Sequence, residues 1–76
     1  MLLNADQRAE VLKGLAEILE TPVTPETRLD ETNFDSMAVV MVVALLDDKC
    51  GVLADGPRLS DCTTVGEVLA LAEAGA

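Results

Sequence analysis

The chain has 76 residues, 5 basic and 14 acidic, for a formal net charge of -9 at neutral pH; it has no histidine and a single aromatic residue, Phe34. So short a chain supports one modest core, and residues 1–76 are expected to form a single domain whose core is aliphatic. A polyanion is repelled by phosphate backbones, so the charge argues against nucleic-acid binding and for encounter with proteins that show basic patches.

Several chemistries fall away with the composition. Without histidine, Ser–His and Cys–His nucleophilic arrangements are excluded. The 5 glycines match neither a phosphate-binding loop nor a dinucleotide-binding turn. The carboxylates have no aromatic-lined pocket to raise one of them for acid catalysis, so an autonomous enzyme is not expected. Cys50 and Cys62 follow no secretory segment and are expected as reduced thiols in a cytoplasmic protein. Two cysteines alone cannot complete a four-ligand zinc site.

The first helix should begin after Asn4, which can cap it with Gln7 closing a capping box. Val11, Leu12, Leu15, Ile18 and Leu19 then recur at three- and four-residue spacing and form one apolar face. The helix should stop near Glu20, because Pro22 disfavours helical geometry at Thr21. Residues 21–34, TPVTPETRLDETNF, read as a long ordered loop pinned by Val23, Leu29 and Phe34.

Next comes an unbroken apolar run, Met37 to Leu46. Its valines favour a strand, but its length from Ser36 to Lys49 suits a helix. Asp35 or Ser36 can cap the start, and Gly51 supplies a left-handed residue at the end. The run is far short of the about 18 apolar residues of a membrane span. One short helical turn is expected at 57–61, after Gly56-Pro57. The last helix opens at TTVGE, with a capping box from Thr64 to Glu67 and a core stripe of Val65, Val68, Leu69 and Ala72. The fold class is therefore all-α: a small four-helix bundle of three main helices plus one short helix.

Ser36 stands at or beside the start of an apolar helix, after a long loop. A helix N-terminus carries unpaired N–H groups and the positive end of the dipole, which suits a phosphate ester. Asp-Ser at this place is first of all capping chemistry, and position alone favours that reading over a phosphate ester.

The segments TRLDETNFDSM, VALLDDKCGV and TTVGEVLAL, in this order and spacing, resemble the acyl carrier proteins, small four-helix phosphopantetheine carriers. The resemblance spans nearly the whole chain. It implies that Ser36 receives 4′-phosphopantetheine from coenzyme A, through a phosphodiester made by a separate phosphopantetheinyl transferase. It implies too that Asp35 helps that transferase and its metal find the serine, and that the arm's thiol carries an acyl group as a thioester between acyl-activating and acyl-transferring enzymes. An aminoacyl or D-alanyl carrier with the same arm, and an unmodified helical interaction module, are the alternatives.

The chain departs from the family's pattern in three places. Cys50 replaces a frequent phenylalanine, and Asn33-Phe34 replaces a glycine and a variable residue. In the second helix, Ala38, Val39 and Met41 occupy sites that many fatty-acid carriers make polar, and acids appear only at its end, Asp47 and Asp48. With Val42, Val43 and Leu46 inward, helical spacing turns Met37, Val40, Met41 and Ala44 partly outward. These four, with Asp47 and Asp48, are the expected partner-binding surface of a monomer, its apolar part open to weak self-association.

Overall fold

A computed structural model describes residues 3–75. The first helix, α1, runs from Ala5 to Leu19 and starts as its sequence dictates. The Asn4 side chain accepts from the Gln7 amide at 2.8 Å, and the Gln7 side chain accepts from the Asn4 amide at 3.1 Å. Its end has a cause beyond Pro22. Glu20 itself adopts the left-handed conformation, φ 58°, and its amide bonds back to the Ala16 carbonyl. A residue other than glycine there carries a steric cost.

Residues 20–35 form a strap that holds one short 3-10 turn, Leu29–Glu31. Leu29 is fully buried; Val23 and Phe34 are half-buried and pack against the core, so all three expected pins serve. The strap is also stitched by its backbone. Arg28 and Thr64 form an isolated antiparallel bridge, in which Leu29 N–H donates to Thr63 and Val65 N–H donates to Thr27. Gly66 N–H donates to the Pro25 carbonyl at 2.8 Å.

The apolar run is helical, as length predicted: α2 spans Ser36–Cys50. Asp35 is its cap, accepting from the Ala38 amide at 2.9 Å, and Gly51 closes it in the left-handed region at φ 66°. A short helix α3, Gly56–Ser60, lies one residue earlier than the sequence suggests, with Pro57 in its first turn. The last helix, α4, is Val65–Gly75. The all-α expectation of three long helices and one short one holds among the described residues.

The core is aliphatic throughout: Val11, Leu15 and Leu19 from α1, Val42 and Leu46 from α2, Leu59 from α3, and Val65, Val68, Leu69 and Ala72 from α4. No polar side chain is buried among the described residues. Helices α1 and α2 run antiparallel, since Glu10 meets Lys49 while Gly14 meets Leu45. Their approach is close because Gly14 has no side chain: a Cβ there would fall 2.9 Å from a Leu45 methyl carbon. No described helix is long and apolar enough to cross a membrane.

Candidate functional site

Ser36 is the first residue of α2 and is exposed. Asp35, also exposed, takes the capping role, which frees the serine hydroxyl from it. No hydrogen bond among the described residues engages that hydroxyl. The amides of Ser36 and Met37 lie in the first turn, where no intrahelical acceptor exists, and the helix dipole favours negative charge there. A phosphate ester on this oxygen would meet an open, electropositive helix end. The residues present therefore fit a covalently attached phosphate, with Asp35 holding the first turn in place.

Past the serine, the outward face of α2 is greasy. Met37 is 67%, Val40 64% and Met41 47% exposed, and Ala44 lies exposed one turn further on. The inward face is Ala38, Val39, Val42 and Leu46. Val43, expected inward, is half-buried and packs against the core. One expectation needs correction here. Ala38 and Val39 are core residues, so of the three apolar replacements only Met41 alters the surface. An unbroken apolar run has no period of its own, and the register was set by packing.

Asp47 and Asp48 are exposed but lie far from the serine, about 16–18 Å along the axis at 1.5 Å per residue. Asp48 pairs with Lys49 at 3.6 Å, and Lys49 also reaches Glu10 at 3.8 Å. The acids thus form a separate polar end of α2 and do not surround Ser36.

Two of the grooves on the described surface lie between helices. One, about 410 Å³, lies between α1 and α2, lined by Gly14, Glu17, Ile18, Met41, Ala44 and Leu45. The other, about 360 Å³, lies between α3 and α4 beside Arg58, Cys62 and Leu71. The first groove was not legible in the sequence: Ile18 read as core, and Gly14 carried no role. The only available signal was a glycine inside a helix, which often marks a close approach.

The thiols are no nucleophiles in waiting. Burial pushes Cys50 up, and burial, then Glu67 and Asp61, push Cys62 up. A reactive thiolate needs the opposite shift.

The helical scaffold thus presents an exposed, unengaged serine hydroxyl at the start of α2. The sequence model of the phosphopantetheine attachment site family (PP-binding) matches residues 9–72. The meromycolate extension acyl carrier protein of Mycolicibacterium aurum is 35% identical, over 87% of this chain and 76% of its own length. Its counterpart in Mycolicibacterium smegmatis is also 35% identical, over 87% and 75%. The acyl carrier protein of Thermobifida fusca is 35% identical, over 79% of this chain and 86% of its own. No solved structure gives a significant match. The chain belongs to the acyl carrier proteins, which bear covalent 4′-phosphopantetheine and carry acyl intermediates as thioesters in lipid biosynthesis.

Proposed function

We propose that Ser36 is the attachment point of the arm and that residues 1–76 act as one carrier domain without catalysis of its own. The exposed, unengaged hydroxyl of Ser36 at the start of α2 carries this reading. The serine oxygen attacks the phosphorus of coenzyme A that bears pantetheine, loses its proton, and displaces adenosine 3′,5′-bisphosphate. This chain has no histidine to take that proton, so the base and the metal come from the transferase. Asp35 holds the first turn and marks the serine for that enzyme. The thiol of the arm, with an ordinary pKa of about 8.5, is a ready nucleophile and a good acyl leaving group. Tethering raises the cargo's effective concentration at each docked enzyme.

The names of the relatives favour an acyl chain over an amino acid, in fatty-acid-like elongation. The protein works as a cytoplasmic monomer that visits the transferase and acyl-transferring enzymes through Met37, Val40, Met41 and Ala44, with Asp47 and Asp48 at the far end of the same helix.

Incubation with coenzyme A and a broad-specificity phosphopantetheinyl transferase, followed by intact mass, tests the reading. The expected gain is one phosphopantetheine, lost entirely in Ser36→Ala; no gain, or a gain that survives the substitution, rejects it. Met41→Glu places a charge in the apolar surface beside the arm. Transfer by the cognate acyl-transferring enzyme is expected to fall about tenfold or more, the scale of a lost interface anchor. An unchanged rate removes this face from docking.

A further inference from the structure

The sulfur-bearing side chains among the described residues divide by environment. Cys50 and Cys62 are half-buried against the core, and burial raises both thiols. The Cys62 thiol also donates to the Arg58 carbonyl at 3.5 Å. Little thiolate is therefore present, and the thiolate is the form that oxidants attack. Met37 and Met41 are the opposite case: both are exposed, four residues apart on the outer face of α2. A thioether has no proton to lose, so its reactivity follows access rather than ionisation. Met37 adjoins Ser36, and Met41 lies one turn beyond Met37, about 6 Å along the axis.

We propose that Met37 and Met41 form an oxidation site that weakens docking on α2, with hydrogen peroxide as the oxidant. The inference rests on the reading that partners dock on this face and adds a modification to it. The sulfur lone pair attacks one peroxide oxygen, and the O–O bond breaks. The sulfur gains that oxygen and is oxidised by two electrons; the other oxygen leaves as water, with both protons. Each sulfoxide puts a strong hydrogen-bond acceptor where the chain had a flexible apolar side chain. In the free carrier that acceptor stays hydrated and the fold is untouched, because neither methionine belongs to the buried core. Against an apolar partner surface it is stripped of water and finds no donor, which opposes docking. Val40 keeps part of the face apolar, so docking weakens rather than vanishes. Reductases specific for each sulfoxide epimer return the thioether, which makes the change reversible.

The unloaded chain is treated with hydrogen peroxide, then with dithiothreitol, and mapped by peptide mass. An added oxygen is expected on Met37 and on Met41, with Cys50 and Cys62 returned as thiols. Loading from coenzyme A by the broad-specificity transferase is then timed. Its kcat/KM for the carrier should fall about tenfold or more, the scale of a lost interface anchor, at an unchanged melting temperature. Methionine sulfoxide reductases for both epimers should restore it. Met37→Leu/Met41→Leu, whatever its own rate, should load equally fast before and after peroxide. An untreated chain that gains no phosphopantetheine overturns the attachment reading and this one with it. Oxygen that fails to reach Met37 and Met41 overturns the switch alone. So does a sulfoxide form that loads at the untreated rate while Met41→Glu slows loading. If neither the sulfoxides nor Met41→Glu slow it, the docking face and the switch both fall. A loss that persists in Met37→Leu/Met41→Leu places the damage elsewhere and also overturns the switch.

Discussion

The starts of α2 and α4 use the same capping chemistry for opposite ends. At α4, Thr64 Oγ1 accepts from the Glu67 amide at 3.3 Å, and the Glu67 carboxylate turns back to the Thr63 amide and hydroxyl. The strap then takes the amides of Val65 and Gly66. At α2, Asp35 caps the Ala38 amide, and no hydrogen bond among the described residues takes the amides of Ser36 and Met37. One helix start is closed into the fold, and the other is left for chemistry. Capping motifs alone do not separate them; what lies over the first turn does.

The comparison can be broken most strongly from the closed side. Leu29 anchors the strap that stitches α4, and it is 1% exposed. Leu29→Ala should lower the unfolding free energy by about 2–5 kcal/mol in a urea titration, the usual cost of emptying a packed site. A loss under about 1 kcal/mol would mean that the backbone bridge alone holds the strap.

On the open side the effect should be smaller and local. Asp35→Ala removes a single cap, which costs about 1 kcal/mol, or roughly 4–8 °C in melting temperature for a domain this size. Loading by the transferase should slow as well, because the first turn that presents Ser36 frays. Unchanged stability would show that another group caps α2.

The finest distinction is in pH. Hydrogen bonds from the Thr63 hydroxyl, then from the Thr63 amide, hold the Glu67 carboxyl below its ordinary range. A carboxylate lowered on folding stabilises the fold at pH above its unfolded value, about 4.5, and loses that contribution as pH falls through the lower folded value. The melting-temperature gap between the wild type and Glu67→Gln should therefore narrow on acidification from about pH 7 to about pH 3. A constant gap would separate the carboxylate's charge from the closure of α4.

Much of this was legible in local sequence. Asn4 and Gln7, Asp35, Gly51 and Thr64 each act within four residues of where they stand, so their roles follow from backbone geometry alone. The same holds for Ser36 at the start of its helix. Even there the match was partial: the Thr64 box closes through Thr63, because the chain before α4 is held extended against the strap.

The outer face of α2 was not readable to the same depth. Ten consecutive apolar residues carry no amphipathic period, so the split between Met37, Val40 and Met41 outside and Ala38, Val39 and Val42 inside awaited the neighbours that cover one side. Leu59 and Val52, fully buried, sit in segments too short for any pattern. The groove between α1 and α2 depends on Gly14 and Leu45, residues 31 apart, meeting across two antiparallel helices. Caps and helix ends are short-range hydrogen-bond chemistry, and the sequence determined them. Which apolar surface stays in water is a long-range packing outcome, and only the tertiary structure decided it.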